Sequence, residues 1–103
     1  MVKNSHYKKK KNREIVKSLS NISGNGEFTV TATRTGEFWI RMEFNSGGTL
    51  RVVNKTLNVD YESASHNGSW NLRLHGICNK GDILQVVYSN AKLNNSASMV
   101  ILY

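Results

Sequence analysis

Apolar and polar residues alternate along two neighbouring stretches of the chain, and this period of two constrains the fold more than any other feature. In EFTVTATR, residues 27–34, every second residue is apolar up to Ala32, with threonines between. In EFWIRMEF, residues 37–44, one face carries Phe38, Ile40, Met42 and Phe44. Successive side chains of a β-strand point to opposite faces of a sheet, so the pattern predicts two half-buried strands.

Turn-forming residues separate the further strand-like segments, which are residues 49–53, 56–61, 69–77, 83–89 and 97–103. Asn54-Lys55 has the character of a two-residue hairpin turn, and Asn45 to Gly48 that of a loop. The chain has 103 residues, enough for one domain, and it contains no proline. About seven strands with polar turns between them predict an all-β, antiparallel two-sheet sandwich.

The positive charge is concentrated at the start of the chain. Residues 1–22 contain seven of the 14 Lys and Arg residues but a single acidic residue, so the remainder is nearly neutral. We therefore divide the chain into a basic N-terminal attachment arm, residues 1–23, and a head domain, residues 24–103. Ile15, Leu19 and Ile22 have helical spacing and predict a short helix within the arm. The residues predicted to dock the arm or to contact phosphates are Lys8, Lys9, Lys10, Lys11, Arg13, Ile15 and Leu19.

Two strand segments are apolar at nearly every position: LQVVY, residues 84–88, and MVILY, residues 99–103. Such runs require burial on both faces of a strand. One face meets the opposite sheet of a sandwich, and the other needs another cover. An exposed apolar strand at the C-terminus would otherwise favour aggregation. We therefore predict that the protein is an oligomer.

Three segments, in this order, resemble the globular heads of the tumour necrosis factor and complement superfamily. They are the pair of alternating strands around Thr35-Gly36, the turn Lys80-Gly81-Asp82 before Ile83-Leu84, and the final SMVILY. The resemblance extends over about residues 26–103. Similar heads occur at the tips of bacteriophage fibres and on bacterial surface filaments.

The resemblance implies a two-sheet jelly roll that assembles as a trimer around a three-fold axis. Carried over by position, the implied trimer contacts are Trp39, Leu84, Val86, Tyr88, Val100, Leu102 and Tyr103. From the residues themselves, Gly81 fits a turn position with positive φ, and Asp82 can cap that turn by accepting backbone N–H bonds.

Catalytic and cofactor motifs are not found in the sequence. The three histidines are scattered, and the single cysteine, Cys78, excludes an intramolecular disulfide and is interpreted as a small buried thiol. Asp60 and Glu62 could bind a cation together with His66, but a solvated pair is the preferred interpretation. We predict a protein that is not an enzyme, with no cofactor and no metal. No signal peptide or membrane-spanning segment is found, so we expect no membrane insertion.

These features lead to the prediction of a structural virion protein, assembled in the host cytoplasm. It would be a trimeric bacteriophage fibre tip, baseplate protein or capsid decoration protein, docked on other virion proteins by its arm. The loops at Asn45–Gly48, Glu62–Ser69 and Asn90–Ser96 would face outward, where a host cell-surface glycan could bind. One alternative is a nucleic-acid-associated protein that binds phosphates through the arm. Another alternative is a carbohydrate-binding module. Trp70 is the candidate aromatic residue for stacking against a sugar ring, although the preferred interpretation of Trp70 is a position in the hydrophobic core.

Overall fold

The described part of the chain forms eight antiparallel strands. The computed structural model describes residues 12–61, 64–65, 70–94 and 97–103. The strands are β1 (Arg13–Ser18), β2 (Gly24–Thr31), β3 (Gly36–Asn54), β4 (Val59–Asp60), β5 (Ala64–Ser65), β6 (Trp70–Cys78), β7 (Ile83–Ala91) and β8 (Ser98–Leu102). The predicted all-β jelly-roll class is confirmed.

The long strand β3 belongs to both layers of the sandwich. Its first half pairs with β6 on one side and with β8 on the other, and β8 also pairs with β1. We call the sheet β1-β8-β3-β6 the first layer. The second half of β3 pairs with β7, β4 and β5, and β7 pairs with β2. These strands form the second layer, and the inner faces of the two layers enclose the core.

The core is built from the alternation visible in the sequence. The predicted inner residues of the first half of β3 are all buried, and they pack with apolar residues of β2, β6, β7 and β8. The fully buried larger side chains include Phe38, Ile40, Met42, Phe44, Leu50, Leu84, Met99 and Ile101. Burial of such apolar surface is the main term that stabilises a domain of this size.

Two predicted strands are continuous in the structure. The predicted loop from Asn45 to Gly48 lies within β3, where the pairing with β7 shifts register between Phe44 and Thr49. Gly47 has a φ of 83°, which allows the chain to bend without leaving the sheet. Turn-forming residues in the sequence indicate such a bend and a loop equally well, so the separation into two strands was wrong.

The predicted two-residue turn at Asn54-Lys55 is also wrong. The loop contains four residues, from Lys55 to Asn58, and the return strand β4 is only two residues long. Asn54 holds this loop with its side chain, because its Oδ1 accepts hydrogen bonds from the backbone N–H groups of Thr56 and Leu57, both at 3.0 Å.

The segment predicted as a helix in the arm is strand β1. It pairs with β8, and Asn12 and Tyr103 exchange backbone hydrogen bonds of 3.2 and 3.0 Å beyond its end. A register shift between Ile15 and Lys17 reverses the alternation, so Ile15 is 57% exposed while Leu19 is completely buried. Ile15 and Leu19 therefore do not share one apolar face, as the predicted helix required. Residues 1–11 lie outside the described residues, and a separate attachment arm stays a prediction.

The turn at Lys80-Gly81-Asp82 has the predicted structural role. Gly81 has a φ of 94°, and Oδ2 of Asp82 accepts the backbone N–H of Asn79 at 2.9 Å. The same oxygen accepts Nδ2 of Asn54 at 2.8 Å. Asn54 and Asp82 are both buried, so this polar cluster joins the turn between β6 and β7 to the hairpin loop after β3.

Cys78 is the predicted buried thiol, with 1% of its surface exposed. Burial raises the pKa of the Cys78 thiol, and the nearby Asp82 carboxylate raises it further. The folded state thus favours the neutral thiol, and this stabilising contribution is lost as the pH rises above the pKa of an unfolded cysteine.

We expect Cys78 of the native protein to react with a thiol reagent such as DTNB far more slowly at pH 8 than the same residue in the urea-unfolded chain. The thiolate is the reactive form, and the folded protein both shields it and disfavours it. The absorbance of the released thiolate reports the two rates. Equal rates in the two states would contradict the buried position of Cys78.

Candidate functional site

The outer face of the first layer carries apolar residues on all four strands, in two adjacent rows that also contain polar residues. Ile15 of β1 lies opposite Val100 of β8, Val100 opposite Trp39 of β3, and Trp39 opposite His75 of β6. In the adjacent row Leu102 lies between Arg13 and Glu37, and Glu37 lies opposite Ile77. We call the set Ile15, Trp39, Ile77, Val100 and Leu102 the apolar strip.

Parts of the apolar strip are well exposed to solvent. Ile77 is 67% exposed and Ile15 is 57% exposed, while Trp39 and Leu102 are half-buried. Val100 is buried by its neighbours at the centre. Scattered exposed apolar side chains are normal, but a contiguous set on a sheet face indicates a contact surface.

Trp39 is held in place at the centre of the face. Its ring stacks on His75 with centroids 4.2 Å apart and planes 11° apart. Nδ1 of His75 lies 3.1 Å from a carboxylate oxygen of Glu37, and this contact fixes the imidazole. The indole Nε1–H is shielded from solvent and has no acceptor among the residues that the structure describes. His75 covers one face of the Trp39 ring, so that face is not open for stacking.

A shallow groove of about 340 Å³ adjoins Trp39 on this face. Three arginines line it, one from each of three strands: Arg13, Arg41 and Arg73. Arg41 and Arg73 lie directly opposite each other in the pairing of β3 with β6. Trp39, Val100 and Ser98 also line it. We call this the arginine groove.

The outer face of the second layer carries polar pairs beside a few apolar side chains, of which Ile83 is 43% exposed. Nε2 of Gln85 donates to Glu27 at 3.3 Å, and the hydroxyls of Thr49 and Ser89 lie 2.6 Å apart. Arg51 and Asp60 form an exposed ion pair at 2.7 Å. The Arg51 guanidinium lowers the pKa of the Asp60 carboxyl by donating a hydrogen bond to it. This face satisfies its own polar groups and is the weaker candidate for a contact surface.

The residues implied by the resemblance as trimer contacts fall into two groups. Leu84 and Val86 are completely buried in their own core, and Tyr88 points the same way because it is two residues further along β7. Tyr88 packs beside Phe28, with ring centroids 6.3 Å apart. Leu84 and Val86 are therefore not available to another copy of the chain, and Tyr88 is only partly exposed.

The second group lies on the first layer. Trp39, Val100 and Leu102 belong to the apolar strip, and Tyr103 follows β8 directly, with the guanidinium of Arg34 4.3 Å from its ring centroid. Sequence reasoning did not select Ile77 for this face, nor Arg41 and Arg73. Ile77 could have been found as an apolar residue on the polar face of the alternating segment SWNLRLHGI.

The arm residues are separated in the structure. Arg13 lines the arginine groove and Ile15 belongs to the apolar strip, but Leu19 is buried in the core and cannot contact a partner. The predicted contacts at residues 8–11 lie outside the described residues, as do Glu62, His66 and the side chain of Trp70. Across the described ranges no group of three or more His, Cys, Asp or Glu residues could hold a metal ion, and no helix could cross a membrane.

Comparison with known proteins gives a relationship in fold. No protein-family model matches the sequence, and no curated protein matches it. Among solved structures, the chain is similar to GITRL from bushbaby, with 13% identity, a TM-score of 0.53, and coverage of 84% of this chain and 75% of that one. Murine APRIL gives 13% identity and a TM-score of 0.51, covering 88% and 98% of the two chains.

A third similar structure comes from a different group of proteins. The CBM51-2 and INT domains of Clostridium perfringens ZmpB give 10% identity and a TM-score of 0.55, covering 85% of this chain and 26% of that chain. At these identities the similarities show the fold alone. The chain has the jelly-roll fold that tumour necrosis factor-like ligands share with carbohydrate-binding modules.

Proposed function

We propose that this protein is a non-catalytic structural head that assembles as a homotrimer through the outer face of its first layer. The apolar strip is the observation that carries the proposal. It crosses all four strands of the layer, and contact with another copy would cover Ile15 and Ile77, the most exposed of its side chains. Removing such surface from water is the usual driving force of association.

The number of copies comes from the resemblance to tumour necrosis factor-like heads, which implies a three-fold axis. The fold supports this choice because the first layer brings together β1, β8, β3 and β6, so the final strand MVILY contributes its outward residues Val100 and Leu102 to the contact. Trp39 and Tyr103 remain in the proposed contact set.

The head would belong to a larger assembly. We propose a virion, most simply that of a bacteriophage assembled in the host cytoplasm, with Lys8–Lys11 attaching the head to other virion proteins. The basic segment and the resemblance to fibre-tip heads support this proposal. The alternative is that the same lysines bind nucleic acid. In that case the binding of nucleic acid should weaken steeply with salt and should disappear when residues 1–11 are removed.

Static light scattering of the full chain tests the trimer. We expect a mass of about three times the 11.6 kDa chain. The double variant Ile15→Asp/Ile77→Asp is expected to have the mass of one chain, because each charge would be buried at the contact. Both residues are exposed in the single chain, so the variant should still fold.

The double variant Leu57→Asp/Leu93→Asp is the matched control. Leu57 is 50% exposed and Leu93 57% exposed, and neither belongs to the apolar strip. It should keep the mass of the unaltered protein. A monomeric or dimeric unaltered protein would overturn the trimer, and dissociation of the control would overturn the assignment of the contact to this face.

A further inference from the structure

The arginine groove contains three positive charges that form no ion pair with any described residue. Arg13, Arg41 and Arg73 make no side-chain hydrogen bond or ion pair with any residue in the described ranges, whereas Arg34 pairs with Glu14 and Arg51 with Asp60. Arginines on the rest of this small domain therefore find partners, and those of the groove do not.

The positions of Arg41 and Arg73 are electrostatically unfavourable when no anion is bound between them. They are directly opposed cross-strand neighbours on the outer face, and like charges in such positions repel. Arg13 adds a third guanidinium to the same groove. An oxyanion bound between these side chains would attract both guanidinium groups and offset the repulsion between them. The planar guanidinium forms paired hydrogen bonds with carboxylate, sulfate and phosphate groups.

The surroundings of the groove restrict the ligand to a small one. Along β3, Glu37 and Glu43 lie on the same face on either side of Arg41. These carboxylates would repel a long polyanion that ran along the strand, so the positive region is local. The groove volume of about 340 Å³ is at the lower end of the range for small-molecule sites.

The remaining wall of the groove combines apolar and hydroxyl groups. Trp39 and Val100 contribute apolar surface and Ser98 contributes a hydroxyl. A ligand that has a charged group, hydroxyls and C–H surface within a few ångströms would match these features together.

We propose that the arginine groove binds an anionic sugar. The carboxylate or sulfate group would lie between Arg41 and Arg73 within reach of Arg13. The sugar ring would contact Trp39 and Val100, and a sugar hydroxyl would bond to Ser98. Uronic acids and sulfated sugars have this same chemistry. The site does not involve Trp70. Its three arginines lie beside the apolar strip, but it shares Trp39 and Val100 with that strip, so a bound sugar and another copy of the chain would compete for these two side chains.

Isothermal titration calorimetry of the full chain at low ionic strength tests the proposal, with glucuronic acid and glucose 6-sulfate as probes. We expect binding in the millimolar range or tighter. The binding should weaken with added salt. Glucose, which has no charge, should bind at least about tenfold more weakly. The stronger of the two charged probes identifies which oxyanion is preferred.

The variants Arg41→Ala and Arg73→Ala should each weaken binding of the charged sugar by about tenfold or more. Arg51→Ala is the matched control, because it removes an exposed arginine from the other layer, and it should leave binding unchanged. Light scattering of the same variants keeps the two proposals distinguishable, since loss of sugar binding at an unchanged mass concerns the groove alone.

Several results would overturn the anionic-sugar site. These are equal binding of glucose and the charged sugars, an equal loss in the Arg51→Ala variant, and no binding of either charged probe to both the full chain and its monomeric Ile15→Asp/Ile77→Asp variant. Displacement of the sugar by a short single-stranded DNA that binds more tightly would also overturn it, in favour of a phosphate-backbone surface.

Discussion

Asp82→Ala is expected to lower the free energy of unfolding by about 3 kcal/mol, because it removes a charged acceptor and leaves buried donors unpaired. Oδ2 of Asp82 accepts Nδ2 of Asn54 at 2.8 Å and the backbone N–H of Asn79 at 2.9 Å. Asn54 is completely buried, so its amide gains no compensating bond to water when the carboxylate is lost.

The effect should extend over both ends of this cluster. Asn54 also donates to the hydroxyl of Tyr61 at 3.1 Å, and that hydroxyl donates to the carbonyl of Ile77 at 2.6 Å. Loss of Asp82 therefore loosens the hairpin loop after β3 as well as the turn before β7. Such networks commonly stabilise more than the sum of their pairs.

Urea unfolding followed by circular dichroism measures the change, and Asp60→Ala is the matched control. Asp60 also accepts hydrogen bonds from a single side chain, that of Arg51, but the pair is exposed, and exposed ion pairs contribute little. Similar midpoints for Asp82→Ala and the unaltered protein would show that the polar cluster does not hold the turn.

Leu19→Ala is expected to destabilise the domain by about 3 kcal/mol, through lost burial and the cavity left behind. Leu19 is completely buried and belongs to the core cluster, although it comes before the predicted head domain. The backbone N–H of Leu19 also donates to the carbonyl of Ala97 at 2.9 Å, which fixes the chain at this point.

Thermal unfolding measures this effect, with Leu57→Ala as the control. The chemical change is the same, but Leu57 is half-exposed in the loop between β3 and β4, so little burial is lost. Equal stability of Leu19→Ala and Leu57→Ala would mean that residues 13–22 are not part of the folded head. In that case the boundary predicted at residue 23 would be supported.

The parts of the candidate site that could be predicted from the sequence are those set by local rules. Trp39, Val100 and Leu102 were all selected through the resemblance. Local alternation supports only Trp39, because it places this residue opposite to Phe38 and Ile40, whereas the outward position of Val100 and Leu102 follows from the pairing of β8 with β3. Leu84 and Val86 were selected on the same basis, yet they are inward. An apolar run has no alternation of its own, so only the pairing of β7 with β3 decides which residues meet the core.

The arginine groove could not be predicted, because it depends on distant strands. Arg41 and Arg73 are 32 positions apart in the chain and become neighbours only when β3 and β6 pair. Arg13 reaches the same groove because β1 joins the layer through β8. The register in which these distant strands pair cannot be predicted from the pattern of residues within a short segment of sequence.

What the sequence determined by itself is the class of fold and the chemistry of its turns. The period of two in β2 and β3, the positive φ of Gly81 and the capping carboxylate of Asp82 follow from interactions within a few residues. The tertiary structure alone decided that residues 13–18 form a strand, that residues 36–54 are continuous, and which apolar faces remain uncovered. These outcomes depend on bulges and on register between distant strands, where a shift of one residue exchanges the buried and exposed faces.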